Sequence, residues 1–519
     1  MQPIAADDLF GTTEAQVARI LKGGGQASSA CLDADVPHVF VLANGLAISV
    51  DCRIVRPSHL QCLLMTLGAE PDVDRSLRPV DHLLDAASGL TLWVADGTGA
   101  EGRAAASWSL IVDAGALDKL TAMTTPSLYG NKLRLTRFVA PIAYVSLTEG
   151  TPILDLMAGT GVVGRALAER HPVSSNDANP YAALLAGTYG LEKPEQSVGE
   201  ILATLRPPFQ ENMTALSMLV DPILQRENAF LLGETDASVI PRYSEFLEQE
   251  VLPHTDGSGS IARLATERYA NIYFGVGQTV EIDSLRYAIN TAFNTPSRER
   301  DFCLTALLLA SVACATGPHF AQPLRSRSVK ALRSTIERRA RSVAWEFDLA
   351  LGRLLSRLGP RYAMSPSSTG DWRPAIERFA ESHRGTEAAV YVDPPYSKLQ
   401  YSRYYHVLNV LLAYDYPSVH GSGRYPPTAT RFSSRFEYQP SVAKREFIEL
   451  LRKAADLELT VLLSYSDTGF VAVDSLLDIF RNSFRTAEVY SERLRHHSQG
   501  RTLAQEKAIV RERIFVGRP

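Results

Sequence analysis

Residues 388 to 406, AAVYVDPPYSKLQYSRYYH, run an apolar β-prone stretch into a carboxylate, two prolines and a group of tyrosines. A carboxylate accepts hydrogen bonds, consecutive prolines hold the backbone rigid, and a tyrosine ring offers a flat face for stacking. Ala389 to Val392 read as a short strand, which Pro394 and Pro395 cannot continue within a sheet. The spacing therefore predicts Asp393 and Tyr396 at the carboxyl end of a strand, where open α/β sheets bind their ligands. The plain alternative for Asp393 is a helix cap after the strand. Tyr401, Tyr404 and Tyr405 stand at near-helical spacing and read as packing, and His406 reads as a hydrogen-bonded structural histidine.

A second constellation lies upstream, in TPILDLMAGTGVVGRALAERHPVSSNDANPYAALLAGTYG, residues 151 to 190. Ile153 to Leu156 form an apolar strand, Gly159 and Gly161 permit a tight turn with close backbone approach, and Val162 to Arg170 read as the following helix. Pro172 to Asn176 make a second strand candidate ending in Asp177, with Pro180 opening another helix. A carboxylate there is well placed to accept hydrogen bonds from a ribose diol. Asp155 reads either as an orienting group for the loop or as its cap. Gly159, Gly161 and Gly164 fit GxGxxG, so a dinucleotide site is an alternative at this point. The same pattern at Gly97, Gly99 and Gly102 carries little, because it lies between two β-prone runs with no room for a crossover helix. It reads as a loop joining two strands.

These motifs need a scaffold, and 519 residues suggest two or three domains. No window approaches the roughly 18 apolar residues of a membrane span, and MQPIAADDLFGTTEAQ does not read as a signal peptide. Cys31, Cys52, Cys62, Cys303 and Cys314 are scattered, without CxxC pairs or histidines at zinc spacing, which predicts a reducing cytoplasm and no structural metal. The net charge of −4 gives no global sign of nucleic-acid binding, yet from Leu324 to Arg361 ten Arg or Lys residues face three acids. That segment reads as helix, either a solvated face or a surface for phosphates. The first 120 residues look partly β, with a hairpin signalled at Asn44-Gly45.

The chain resembles the S-adenosylmethionine-dependent DNA adenine methylases. DLMAGTGVVG, the acidic second strand and the later Asp-Pro-Pro-Tyr carry the resemblance, which extends through SLYGNKLRLTRFVAPI (Ser127 to Ile142), NIYFGVGQTVEIDSLRYAI, GPHFAQP, YSRYYHVLNVLLAYDYP, LLSYSDTGF and RHHSQGR. It covers roughly residues 125 to 515, and the cofactor motif precedes the catalytic one, as in the family's α arrangement.

The resemblance implies a Rossmann-like α/β fold: a doubly wound sheet in two pieces, residues 121–190 and 385–519. A mainly helical target-recognition region (191–384) is inserted between them, and a small, partly β accessory domain (1–120) precedes them. It implies that Asp393, Pro394, Pro395 and Tyr396 are catalytic. Tyr129, Gly130, Lys132, Asp155, Ala158, Gly159, Thr160, Gly161 and Asp177 would hold S-adenosylmethionine. The basic segment would bring Arg325, Arg327, Lys330, Arg333 and Arg338 to DNA. The implied reaction is methylation of adenine N6 in double-stranded DNA, within a restriction–modification or phage-defence system that supplies partner proteins, in a prokaryotic cytoplasm at the nucleoid. An N4-cytosine or RNA amino-methyltransferase, and a non-catalytic DNA-binding subunit, are the alternatives.

Overall fold

The computed structural model describes residues 132–233, 236–317, 319–323, 328–356, 362–395, 401–495 and 509–519. Before residue 111 it describes only short strands. Those strands form two antiparallel sheets, of four and three strands. Leu90–Val94 pairs antiparallel with Trp108–Leu110, as the loop reading of Gly97 to Gly102 requires, and His38–Val41 pairs with Ala47–Val50. The linking glycines and Asn44-Gly45 lie outside the described residues.

From residue 132 onward the organising element is a seven-stranded sheet. Its strands, in chain order, are β1 (Ile153–Asp155), β2 (Val173–Asp177), β3 (Ser368–Thr369), β4 (Ala389–Val392), β5 (Thr460–Ser466), β6 (Thr486–Arg495) and β7 (Ile509–Arg518). They lie in the order β3-β2-β1-β4-β5-β7-β6. The first five run parallel, and β7 runs antiparallel to both β5 and β6. Alternate residues of the central strands serve opposite faces, as the period of two demands. Leu154, Val390, Val392, Val461 and Leu463 pack on one side with helices Trp372–Ser382, Pro440–Asp456 and Val473–Ser483. Ile153, Ala389, Tyr391, Leu462, Ile514 and Val516 pack on the other, with α1 (Lys132–Ser146) and α2 (Val162–Leu167). Helix α2 stops earlier than Arg170. Ala168, Arg170 and His171 instead bond back onto its last carbonyls, in the turn that leads to β2.

Between β2 and β3 the chain is helical: α3 (Pro180–Thr188), α4 (Val198–Leu232), α5 (Val239–Leu247), α6 (Leu264–Tyr269), α7 (Val276–Ala292), α8 (Arg298–Cys314), α9 (Val329–Arg339) and α10 (Val343–Ser356). The basic segment is thus two helices. The first ends at Arg339, and Ser342 caps the second, its hydroxyl accepting from Trp345 N–H while Glu281 of α7 accepts from Ala344 N–H at 2.9 Å. The helical core is not sealed off from the sheet layer. It is continuous with Tyr181, Ala182 and Leu185 of α3 and with Val407 to Leu411, which follow the Asp393 segment. The chain returns to the sheet at Ser368, ahead of residue 385.

Candidate functional site

The loop after β1 is built by backbone geometry. Gly159 and Gly161 adopt φ of +55° and +75°, and a Cβ on Gly161 would stand 2.6 Å from Ala186 Cα of α3. Only glycine allows that bend at that separation. Asp155, 1% exposed, accepts from Gly164 N–H at 3.1 Å, so its carboxylate ties the first turn of α2 to the end of β1. The bond holds the start of α2 on the end of β1.

Asp177 holds the other side. Its Oδ2 accepts from Gly159 N–H at 2.8 Å, and its Oδ1 accepts from Asn179 N–H at 2.8 Å. The carboxylate is thereby fixed at the end of β2 against the glycine loop. Asn176 braces the same loop, donating to Leu156 O and to Gly370 O, both at 3.2 Å.

The Asp393 segment arrives from the neighbouring strand. Tyr391 of β4 stands opposite Asp155 of β1, and Leu156 N–H donates to Tyr391 O at 3.0 Å. Asp393 therefore leaves the sheet beside the glycine loop. It is half-buried, Pro394 is buried, and Tyr396 lies outside the described residues. Beyond them, α11 (Tyr401–Tyr404) and α12 (His406–Ala413) carry the chain across α3. There Asn409 Oδ1 accepts from Tyr181 N–H at 3.1 Å, linking the segment after Asp393 to the helix after Asp177.

The remaining residues singled out in the sequence divide plainly. Ala158 is buried, and Thr160 is half-buried in the loop. Tyr129, Gly130, Arg325 and Arg327 lie outside the described residues, and Lys132 is described only as backbone in α1. Lys330 and Arg333 are exposed on α9, whereas Arg338 is half-buried and donates to Ala315 O at 3.3 Å. Tyr405 is in the core and Tyr404 packs against it. His406 is buried with Nε2 donating to Phe320 O at 3.0 Å, and burial pushes its pKa down to about 3.

One group beside Asp393 escaped the sequence reading. Glu512 of β7, 5% exposed, stands opposite Ser466, the last residue of β5. Burial pushes its carboxyl up to about 7, and the neighbouring carboxylates of Asp393 and Asp467 push in the same direction, against the Ser466 hydroxyl and Arg513. Its signal was available: Glu512, Ile514 and Val516 alternate on one face of the strand, so the acid falls on the same inward side as those two apolar residues. Among the described residues no group of His, Cys, Asp or Glu is placed to hold a metal ion, and no helix is long and apolar enough to cross a membrane.

Comparison with known proteins bears on this geometry. Residues 376–463 match the family model of the D12 class N6 adenine-specific DNA methyltransferases. The match includes Asp393 to Tyr396 and excludes the glycine loop. The chain is 26% identical over 358 residues to modification methylase LlaI of Lactococcus lactis subsp. lactis, covering 68% of this chain and 48% of that protein. It is 22% identical over 359 residues to the type II methyltransferase M.FokI of Planomicrobium okeanokoites, covering 68% and 46%. The chain spans about half the length of these relatives.

Proposed function

We propose that the chain is a DNA adenine methylase, which transfers a methyl group from S-adenosylmethionine to N6 of adenine in double-stranded DNA. The observation that carries the reading is the pairing of β1 with β4, which brings the glycine loop and Asp393 side by side from distant parts of the chain. The residues fit the cofactor: left-handed Gly159 and Gly161 leave the backbone bare, and Asp177 presents a fixed carboxylate at the end of the second strand. Ala158 to Gly161 and Asp177, with Tyr129, Gly130 and Lys132 as the resemblance implies, would hold S-adenosylmethionine, which would supply an electrophilic methyl group.

The rest of the chemistry falls to side chains and carbonyls of this chain. The exocyclic amine of adenine is a poor nucleophile because its lone pair is delocalised into the ring, and it is buried in the base stack. The base is therefore extruded into the pocket. Asp393 accepts one amine hydrogen and the carbonyl of Pro394 the other, which favours a tetrahedral nitrogen aimed at the methyl group. Pro394 and Pro395 keep these acceptors from swinging away. Tyr396 offers a stacking face worth about 1–3 kcal/mol. The amine proton leaves after transfer, so no strong base is required. The helices from α4 to α10 are the target-reading region in this account, with Lys330 and Arg333 among its phosphate contacts. A modification role in a restriction or phage-defence system follows the same reading.

Labelled S-adenosylmethionine and unmethylated genomic DNA test it, followed by nucleoside analysis beside an Asp393→Ala variant. N6-methyladenine formed by the parent and reduced at least 100-fold in the variant is the expected result. Labelled N4-methylcytosine, label in RNA alone, or equal activity in the variant would each overturn the assignment.

A further inference from the structure

Between α12 and the helix Pro440–Asp456, residues 420 to 425 (HGSGRY) fold back on themselves, with His420 N–H donating to Tyr425 O at 2.9 Å and Tyr425 N–H to His420 O at 3.0 Å. Arg424 at this turn has φ of +50°, a left-handed conformation that a side chain rarely adopts. The turn is pinned to the helical core: Tyr273 donates to Gly423 O at 2.9 Å, and the Tyr425 hydroxyl donates to Ala321 O.

Two guanidinium groups converge on the Tyr425 ring. Arg403, exposed on α11 just beyond the Asp393 segment, places Cζ 4.9 Å from the ring centroid, and Arg431 places its Cζ at 5.6 Å. Arg403 also donates to the Tyr425 hydroxyl at 3.1 Å. Arg431 donates through Nη2 to Thr428 Oγ1 at 3.2 Å, but its Nε and Nη1 are shielded from water and find no acceptor among the described residues. Among the described residues neither arginine pairs with a carboxylate. Burial and the charge of Arg403 both pull the pKa of Arg431 down. Arg424 adds a third cation at the turn, donating to His254 Nε2 at 3.3 Å.

Like charges gathered on one ring, with desolvated N–H groups unsatisfied, work against folding unless an anion completes them. Among the described residues the buried arginines of the helical core find protein acceptors. Arg339 donates to Asn271 and Thr316 and lies 3.9 Å from Glu227, and Arg286 donates to Leu411 O and Leu412 O. Arg403 lies ten residues beyond Asp393 in the chain, and Arg431 thirty-eight. An aromatic ring flanked by guanidinium forks suits a tetrahedral, singly charged oxyanion.

We infer that Arg403 and Arg431, assembled on Tyr425, bind one backbone phosphodiester of the DNA strand that carries the target base. The inference rests on the reading of the protein as a DNA methyltransferase and adds the grip that holds the strand while its base is extruded. This surface is separate from the basic segment of α9 and was not signalled by local charge density, because its arginines are spread over 29 residues of mixed sequence.

Equilibrium binding of a duplex over a range of KCl concentrations tests the inference without requiring turnover. Arg403→Ala and Arg431→Ala are each expected to weaken binding about tenfold and to lower the slope of log K against log[salt] by about 0.9, the loss of one phosphate contact. The affinity for S-adenosylmethionine should stay within twofold. Arg403→Gln and Arg431→Gln, which keep polar side chains but lose the charge, should show the same change in slope if the alanine variants fold poorly. Arg481→Ala, an exposed arginine of the helix Val473–Ser483, serves as the control. A duplex with a neutral methylphosphonate at the contacted position should bind the parent protein more weakly and cost Arg431→Ala nothing further. Unchanged slopes in all four arginine variants, or equal losses of cofactor and DNA affinity, would overturn the inference while leaving methyl transfer by the parent intact. A parent that neither binds nor methylates duplex DNA would remove both the inference and the function it rests on.

Discussion

Glu512 gives the sharpest test of the architecture around Asp393, because its environment is set only by the register of β5 and β7. Replacing it by glutamine leaves a neutral side chain of the same shape opposite Ser466 and removes the ionisation. Folding moves the Glu512 carboxyl from its ordinary 4.5 to about 7, through burial first and then through Asp393 and Asp467. At ~1.4 kcal/mol for each tenfold change in an acidity constant, this is worth about 3 kcal/mol. The sign follows from proton binding. Between about pH 4.5 and 7 the native chain holds a proton at this site that the unfolded chain has released, so stability falls as pH rises. The cost is absent below about pH 4.5 and complete above about pH 7. Urea unfolding followed by circular dichroism from about pH 5 to 8.5 should show Glu512→Gln and the parent nearly equal at the acid end. The variant should be more stable by about 3 kcal/mol at the alkaline end. Glu281 and Asp283, whose carboxyls burial raises to about 7 and about 6, are unchanged between the two proteins and cancel in the difference. An Asp393→Asn background should shrink the gap, since one of the two repelling carboxylates is gone. Parallel pH profiles for parent and variant would refute the placement of Glu512 beside Asp393.

Two further outcomes probe the cofactor loop. Asp177→Ala removes the acceptor for both Gly159 N–H and Asn179 N–H; charge-assisted bonds of this kind are worth about 1.5–3 kcal/mol each. Titration calorimetry should find S-adenosylmethionine affinity at least tenfold weaker, with unaltered affinity counting against the tether. Gly161→Ala places a methyl group 2.6 Å from Ala186 Cα at a φ of +75°, so a loss of about 1–3 kcal/mol is expected. A thermal scan showing no change would mean that α3 does not approach the loop this closely.

Much of the site was legible because local rules write it. The GTG of the loop, the Asp-Pro-Pro stop after an apolar strand and the acid closing the second strand are each dictated within a dozen residues by backbone sterics and the period of two. The strands β1, β2 and β4 were legible for the same reason. Beyond those rules the sequence was silent. Strand β3 is two residues long and β6 is half polar, so neither carries a hydrophobic period. The basic segment from Leu324 to Arg361 reads as one continuous helix until Glu281, brought in from α7, caps a second start at Ser342. Arg338 reads as a surface cation until packing sets Ala315 O beside it.

The sequence by itself determined which residues could do chemistry and on which side of a strand each would emerge, since these depend on φ, ψ and side-chain alternation. Tertiary structure alone decided which of them meet. Strand order sets Asp155 against Tyr391, carries Glu512 to Asp393 across β5, and gathers Arg403 and Arg431 on one tyrosine. Such pairings are decided by which apolar faces bury each other best, an energy summed over the whole core rather than written in any one segment.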